Sequence, residues 1–114
     1  MAAALSHHHA DLGDVQLHYV TAGAGAPIVL LHGWPQTWFM WRDVIPLLAP
    51  HASVIVPDMR GLGDSSRPEA GYDKMTVARD IAALMTKLGH SAFRVVAHDW
   101  GGPVAFALAA QFPD

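Results

Sequence analysis

The residue best suited to do chemistry in this sequence is Asp99, at the centre of Ala97-His98-Asp99-Trp100-Gly101. The pentapeptide follows a short apolar, β-branched run and precedes a helix-forming stretch. Asp99 is therefore predicted at a sharp strand-to-helix turn, a nucleophile elbow. Such a turn needs small residues two before and two after its apex, which Ala97 and Gly101 provide, with Gly102 adding room. The helix N-terminus favours a charged carboxylate at the apex. A plain helix N-cap is the alternative interpretation of Asp99.

A second segment, Leu30-Leu31-His32-Gly33-Trp34-Pro35, coincides with the end of another apolar run and the turn that follows it. His32 and Gly33 allow a tight exit from a strand at this point. We expect the His32 side chain to be a hydrogen-bonded structural histidine that shapes the loop and transfers no proton.

The third segment of interest is the loop 58–68, which is rich in Gly, Ser and Pro. Its glycines do not form a dinucleotide-binding fingerprint, because Gly61-x-Gly63-x-x-Ser66 lacks the last glycine. We expect a structural loop held by an ion pair between Asp58 and Arg60.

Apolar strands alternate with helices along the chain, in the order β-β-α-β-α-β-α. Strands are predicted over 15–20, 28–31, 53–56 and 93–97, and helices over 38–48, 74–88 and 102–111. Asp73 is predicted to cap the second helix, Gly89 to end it, and Pro113 to stop the third. The first strand alternates and is expected to be half-buried, whereas the others are expected to be covered on both faces. The alternation predicts an α/β fold with a mostly parallel sheet and helices on both faces.

Together these segments resemble the α/β-hydrolase superfamily, and more narrowly its epoxide hydrolase and haloalkane dehalogenase branch. The resemblance runs from about Val15 to the last residue, through His32-Gly33-Trp34-Pro35-Gln36, Trp41-Arg42, Asp58-x-Arg60-Gly61-x-Gly63-x-Ser65 and His98-Asp99-Trp100-Gly101-Gly102. It implies the N-terminal part of that fold, with Asp99 as the nucleophile. It also implies an oxyanion hole made by the backbone N–H groups of Trp34 and Trp100. The loop and substrate pocket would then be shaped by His32, Gly33, Pro35 and Trp38.

An aspartate at the elbow favours attack on sp³ carbon, because a carboxylate is a poor acyl nucleophile. The product is an alkyl ester on Asp99 itself, and water must then attack the Asp99 carbonyl. The oxyanion hole would therefore serve the enzyme's own carboxyl group. No cofactor and no metal are expected for this chemistry.

Members of the branch differ at the positions around Asp99. Epoxide hydrolases carry His-Gly-aromatic-Pro, which Trp34-Pro35 fits. Many haloalkane dehalogenases have a halide-binding Asn in place of Trp34, but share a Trp after the nucleophile, as at Trp100. Haloacetate dehalogenases have Arg there and again three residues later, where this chain has Trp100 and Pro103. The resemblance favours epoxide hydrolysis to a diol, with haloalkane dehalogenation as the alternative and a small apolar epoxide or haloalkane as substrate.

The composition of the chain excludes several other classes of protein. The 114 residues contain no cysteine, which excludes disulfides, thiolate chemistry and Cys-based zinc sites. A hydrophobic content of 52% argues against disorder. A net charge of −3 gives no basic stripe for nucleic acid, and no apolar run is long enough to cross a membrane. Without a targeting signal, a cytoplasmic location is the default expectation.

Several side chains are expected to have no chemical role. The adjacent histidines 7–9 are expected to be solvated, although three histidines can also bind a metal weakly or be the remnant of a tag. Trp41 is expected to pack the first helix onto the sheet, whereas Trp38 fits packing and pocket lining equally well. Methionines 40, 59, 75 and 85 are expected to be packing or surface residues.

The order of the motifs predicts that part of the catalytic machinery lies outside this sequence. The branch carries its acid and its histidine after the nucleophile, yet only 15 residues follow Asp99 and none is histidine. We expect residues 1–14 to be an N-terminal extension and 15–114 the N-terminal part of a core domain that lacks its later strands, cap, acid and histidine. Such a fragment is expected to be inactive alone, and its unpaired edge strand 93–97 to pair with the missing C-terminal half or a second chain. A non-catalytic fragment or pairing module is the alternative from another class.

Overall fold

The computed structural model describes residues 5–111, so the helix stop predicted at Pro113 lies outside the described residues. Five strands are present: β1 (Ser6–Asp11), β2 (Gln16–Ala22), β3 (Pro27–Leu31), β4 (Ser53–Pro57) and β5 (Arg94–Ala97). They are accompanied by a 3₁₀ turn (Trp38–Trp41) and by helices α1 (Ile45–Leu48), α2 (Lys74–Lys87) and α3 (Gly101–Gln111). The strands form one sheet in the order β1-β2-β4-β3-β5.

The centre of the sheet is parallel, because β3 pairs in parallel with both β4 and β5. Strand β2 runs antiparallel to β1 and to β4, which adds two antiparallel strands at one edge. The predicted α/β fold is confirmed, with its parallel part formed by β4, β3 and β5. In the β3–β5 ladder Leu31 lies opposite Ala97, so the segments that follow these two strands leave the sheet side by side.

The structure contains one strand that the sequence analysis misses. Residues Ser6–Asp11 pair with β2 along their whole length, although only Ala10 among them is buried. Backbone hydrogen bonds to β2, not an alternating apolar pattern, define β1. The proposed domain division at residue 14 stays a prediction, and β1 lies on its N-terminal side.

The strand predicted over 15–20 corresponds to β2, and the expectation that it is half-buried is wrong. Both His18 and Val20 are buried in β2 alongside Leu17 and Tyr19.

Helices cover both faces of the sheet, as predicted. Helices α2 and α3 pack on one face, where Val29 and Leu31 of β3 join the larger apolar cluster. The 3₁₀ turn and α1 cover the other face, where Leu30 and Trp41 lie in a second cluster. Successive β3 side chains therefore face opposite layers, which is the alternation a strand imposes. The predicted packing role of Trp41 is confirmed, since its side chain is buried there.

Local signals set the ends of α2 as predicted. The Asp73 carboxylate accepts a hydrogen bond from the Thr76 N–H at 3.0 Å. At the other end Gly89 has a φ of 86°, and the His90 N–H donates to the Met85 carbonyl at 2.8 Å. This pattern is a Schellman C-cap.

The segment 38–48 is less regular than predicted: it divides into the 3₁₀ turn and α1, and its proline lies in the first turn of α1.

Strand β5 forms one edge of the sheet, as the sequence analysis predicts. Within residues 5–111 it pairs with β3 alone. It is less buried than expected, with Val96 41% exposed, and Phe106 on the adjoining helix is 78% exposed. An apolar edge of this kind invites pairing with further chain.

None of the helices within residues 5–111 is both long and apolar enough to span a bilayer.

The loop 58–68 is structural, but the ion pair predicted between Asp58 and Arg60 is wrong. Arg60 instead makes two hydrogen bonds to Asp80 of α2, both at 2.9 Å, and one to Asp14 at 3.0 Å. Asp58 accepts from the ring Nδ1 of His18 at 2.7 Å. Burial raises the pKa of Asp80, and the hydrogen bond to the guanidinium opposes this effect. Arg60 thus fastens the loop to α2 through a buried, two-pronged ion pair.

We expect Arg60→Ala to lower the free energy of unfolding by about 3–5 kcal/mol, because it leaves the Asp80 carboxylate buried without a partner. Urea denaturation at pH 7 would measure the loss. Asp14→Asn is the matched control, since the Asp14 side chain is 70% exposed and its contact with Arg60 is open to water. An equal loss in both variants would contradict the assignment of Asp80 as the principal partner.

Candidate active site

Asp99 occupies the sharp turn predicted for it. Among residues 5–111 it is the only non-glycine residue with a positive φ, at 54°. The His98 N–H still donates to the Leu31 carbonyl at 3.1 Å, which extends the β3–β5 ladder up to the turn. The Gly102 N–H donates to the Asp99 carbonyl at 2.9 Å, and α3 begins there. The strand and the helix therefore hold Asp99 in a sparsely populated backbone conformation with its side chain exposed.

The predicted need for a small residue after the apex holds at Gly101. A Cβ atom at that position would lie 2.8 Å from the His32 carbonyl oxygen and 2.9 Å from that of Leu31. Both are backbone atoms and cannot move aside cheaply. Gly102 does not contribute room as expected, because a Cβ there would meet nothing within 4 Å.

The turn after β3 lies directly against Asp99. The backbone N–H of Trp34 donates to Asp99 Oδ2 at 3.3 Å, a long hydrogen bond. A Cβ on Gly33 would come within 2.6 Å of the Asp99 Cβ, so only glycine fits at this approach. The structure therefore brings together Asp99 and one of the two predicted oxyanion-hole donors.

Gln36 closes this turn in a way that the sequence analysis does not predict. The Gly33 N–H donates to Gln36 Oε1 at 2.9 Å, and the Gln36 N–H donates back to the Gly33 carbonyl at 2.8 Å. The sequence offers one signal for it, a polar side chain three residues after the glycine. Pro35, next to Gln36, is exposed and follows a cis peptide bond from Trp34. The two hydrogen bonds between Gly33 and Gln36 brace the turn whose Trp34 N–H donates to Asp99.

His32 is fully buried and joins the turn to the loop 58–68. Its Nε2 accepts from the Met59 N–H at 2.9 Å, so the ring proton must reside on Nδ1. Nδ1 then donates to the Gly33 carbonyl at 2.8 Å. Burial lowers the pKa of His32, and the contact with the Gly33 carbonyl opposes this in part. Both ring nitrogens are engaged, so the side chain acts as a structural link.

Trp34 and Trp100 line an open cavity of about 450 Å³ beside the turn. The loop 60–72 forms the rest of its wall, through Arg60, Gly61, Leu62, Arg67 and Tyr72. No hydrogen bond to a described residue involves the backbone N–H of Trp100, which leaves the second predicted oxyanion donor available.

Trp38 lies elsewhere: its backbone N–H donates to Asp58 Oδ1 at 2.7 Å and its ring packs against His7. The structure does not bring Trp38 to this cavity.

One group of described residues has potential metal-binding atoms within 4.8 Å of one another: His18, Asp58 and Asp64. Both carboxylate oxygens of Asp58 already accept hydrogen bonds, Oδ1 from the Trp38 N–H and Oδ2 from the Asp64 N–H and the His18 ring. Asp58 therefore organises the loop. His18 belongs to β2 and the two aspartates belong to the loop 58–68, and none of the three contacts Asp99 through a hydrogen bond.

We expect His32→Ala to lower the free energy of unfolding by about 1–3 kcal/mol at pH 7, because the buried Met59 N–H loses its acceptor. The lowered pKa means that the unfolded chain binds the proton more readily. The contribution of His32 is therefore complete above about pH 6.5 and declines as the pH falls below that value. Urea denaturation at pH 5, 6 and 7 should show the gap between the two proteins narrowing as the pH falls. A gap that widened would contradict this account, and His51→Ala, at an exposed site, serves as control.

Comparison with known proteins identifies the family. Residues 26–114 match the family model for the alpha/beta hydrolase fold. The chain is 53% identical over 109 residues to a soluble epoxide hydrolase from Corynebacterium sp. (strain C12), covering 96% of this chain and 38% of the relative. It is 41% identical to a fluoroacetate dehalogenase from Burkholderia sp., covering 91% of this chain and 36% of the relative. It is 38% identical to a haloalkane dehalogenase from Bradyrhizobium diazoefficiens, covering 90% and 34%.

The backbone agrees with these sequence relationships. The solved structure of the epoxide hydrolase CorEH without ligand matches with a TM-score of 0.96 and 52% identity, over 97% of this chain and 39% of that one. The chain thus spans less than two-fifths of the length of each of these proteins. The resemblance expected from the three motifs is confirmed, as is the N-terminal portion of the fold. The chain belongs to the α/β-hydrolase fold family, with epoxide hydrolases and haloalkane dehalogenases among its relatives.

Proposed function

We propose that this chain carries the nucleophile and the oxyanion hole of a hydrolase that attacks sp³ carbon through Asp99, and that the reaction is the hydrolysis of an epoxide to a diol. One observation carries the proposal: the Trp34 N–H is aimed at Oδ2 of Asp99 itself, at 3.3 Å. In an acyl-transfer enzyme such a donor faces the substrate's carbonyl oxygen. A donor on the nucleophile's own carboxyl group suits a mechanism in which that group becomes the ester to be hydrolysed.

The first step is a displacement at carbon. Oδ1 of Asp99 forms a C–O bond to one epoxide carbon, the bond from that carbon to the epoxide oxygen breaks, and the released alkoxide takes up a proton from water. Asp99 is exposed at the mouth of the turn, so its carboxylate can reach a substrate without rearrangement of the backbone.

The second step returns Asp99 to its free form. Water attacks the carboxyl carbon of the Asp99 ester and gives up a proton to a base, and the negative charge that develops on Oδ2 receives hydrogen bonds from the N–H groups of Trp34 and Trp100. The bond from the carboxyl carbon to the alkyl oxygen then breaks, and that oxygen takes up a proton and leaves as the second hydroxyl of the diol. Loss of one such donor costs about 10²–10³ in rate. The attacking water needs a general base. His32 does not serve, because its Nε2 is occupied by the Met59 N–H. The resemblance implies a histidine that follows the nucleophile along the chain, so we propose that the base lies outside these 114 residues.

The cavity lined by Trp34 and Trp100, of which Trp34 contacts Asp99 and Trp100 follows it, supports a small apolar substrate. Trp34, Trp100 and Leu62 give it apolar walls. The Trp34-Pro35 pair and the similarity to the Corynebacterium epoxide hydrolase favour an epoxide. Trp100, directly after the nucleophile, and the similarity to the Bradyrhizobium haloalkane dehalogenase favour a haloalkane as the second candidate, with halide as the leaving group. We propose that the exposed β5 edge pairs with the remainder of such a hydrolase or with a second chain.

The 114-residue chain alone should be alkylated at Asp99 by a reactive epoxide and should then stop, because deacylation lacks its base. Intact-mass spectrometry should show the addition of one epoxide, and peptide mapping should assign it to residues 97–102. Diol formation should not exceed one equivalent per chain. Asp99→Asn should abolish the labelling.

Labelling that persisted in Asp99→Asn would overturn the assignment of the nucleophile. Multiple turnovers by the purified chain would overturn the claim that its base lies elsewhere. A parallel reaction with a bromoalkane separates the two substrate classes, since faster labelling by the haloalkane than by the epoxide would favour the dehalogenase alternative.

Gly33→Ala should slow this alkylation by about 10²-fold, because the added Cβ would displace the Asp99 side chain from its present position. Gly102→Ala is the matched control: the same methyl group, three residues after Asp99, enters open space and should change the rate less than about twofold. Circular dichroism would establish that both variants are folded. Equal rates in the two variants would contradict the importance of the approach between Gly33 and Asp99.

A further inference from the structure

Three histidines from two strands share one face of the sheet at the edge opposite β5. In the antiparallel ladder His9 lies opposite His18, and His7 lies opposite Val20. Alternate residues of a strand face the same side, so His7 and His9 lie on the face that carries His18. His8 lies on the other face, where its ring stacks on Tyr19 with centroids 5.0 Å apart. This grouping depends on β1, a strand that the sequence pattern does not predict.

His18 is held as a metal ligand would be held. Its side chain is 2% exposed, and its Nδ1–H donates to Asp58 Oδ2 at 2.7 Å. This hydrogen bond assigns the ring proton to Nδ1 and leaves a lone pair on Nε2. Histidines that bind metals usually donate their other ring nitrogen to a carboxylate in this way. The lone pair of His18 Nε2 faces Nδ1 of His7, 3.0 Å away.

We propose that His7 Nδ1 and His18 Nε2, with His9 as a third ligand, bind one divalent transition-metal ion. Two imidazole nitrogens on the same ion are about 2.9–3.4 Å apart for bond angles between a right angle and the tetrahedral value. The present 3.0 Å separation falls within this range. The ion replaces the proton that the two rings now share, and His7 takes the tautomer protonated at Nε2. No net proton is released in that exchange.

His7 and His9 supply the freedom that the buried His18 lacks. Both are exposed on β1, so their rings can turn to direct lone pairs at an ion seated on His18. The His9 and His18 ring centroids are 5.3 Å apart. The His9 ring must still turn towards the ion, because the ligand nitrogens of the three histidines do not all lie within 4.8 Å of one another in the present arrangement. Imidazole ligands suit Zn²⁺, Ni²⁺ and Cu²⁺. Water completes the coordination, since the Asp58 oxygens are committed to hydrogen bonds within the loop.

The consequence of metal binding is structural and not catalytic. Strand β1 is held mainly through its ladder with β2, since most of its side chains are exposed. An ion held by His7 and His9 of β1 and by His18 of β2 would cross-link the two strands. The site lies at the edge of the sheet opposite β5, whereas Asp99 follows β5. Metal binding should therefore stabilise the N-terminal strand and leave Asp99 unchanged.

Calorimetric titration of the untagged chain with ZnCl₂ or CuCl₂ tests the proposal. We expect one ion per chain, weakened at least about tenfold by His7→Ala or His9→Ala. His8→Ala is the matched control, since it removes an adjacent histidine from the opposite face and should change affinity less than about twofold. The ion should also raise the melting temperature of the wild type and of His8→Ala, but not of His7→Ala.

Three results would overturn the proposal. The first is equal weakening by all three substitutions, which would indicate an unstructured histidine tract that binds metal through any of its rings. The second is unchanged affinity in His7→Ala. The third is the absence of a one-to-one complex at 100 µM or lower metal. Electron paramagnetic resonance of the Cu²⁺ complex adds a direct readout, because the number of coordinating nitrogens should fall by one in His7→Ala and remain constant in His8→Ala.

Discussion

The candidate site depends on the close approach of two backbone turns, one after β3 and one after β5. Gly33 lies so near the Asp99 side chain that a single added carbon would overlap it at 2.6 Å. Two residues after Asp99, Gly101 approaches the carbonyl groups of Leu31 and His32 at the end of β3 almost as closely. The turn after β3 therefore requires glycine at position 33, and the turn after β5 requires glycine at position 101. The β3–β5 ladder, with Leu31 opposite Ala97, brings the turns to this separation, and the glycines let them remain there.

The loop 58–68 supports this contact from behind. Met59 donates its backbone N–H to His32, and His32 in turn donates to the Gly33 carbonyl, so the loop and the turn share one buried imidazole. The loop itself is fastened to α2 by Arg60 and to β2 through Asp58. A chain of hydrogen bonds thus runs from α2 to the turn that carries the Trp34 N–H. Its members are buried, and a buried polar group that loses its partner costs more than one exposed to water. This asymmetry keeps the turn in one arrangement.

The sequence predicts what local signals encode. The ends of α2 follow from Asp73 and Gly89, and the elbow follows from small residues flanking Asp99. It does not predict β1, whose exposed histidines lack an alternating pattern and whose position depends on hydrogen bonds to β2.

The ion-pair partners were also beyond the sequence analysis, because they are chosen by tertiary contact. One signal for the Arg60–Asp80 pair was present: Asp80 lies within the apolar stripe of α2, beside Ile81 and between Val77 and Leu84. A charged residue at such a position indicates a buried partner. Gln36 gave a comparable signal in the turn after β3. Asp80 and Gln36 are both polar residues at positions that the local pattern does not explain.

The pairing of β3 with β5 sets the geometry for the first of the two proposed reaction steps but does not supply the second. The proposed nucleophile Asp99 and the Trp34 donor follow strands that pair directly with each other, so their geometry is set by a ladder contained within this chain. Displacement at carbon needs only that geometry and an ionised carboxylate. Hydrolysis of the resulting ester needs in addition a base to activate water, and His32, at the start of the turn after β3, has its lone pair engaged by the loop. In the proposed mechanism, the first half-reaction is a property of β3, β5 and their turns. The second then depends on what the exposed edge of β5 meets.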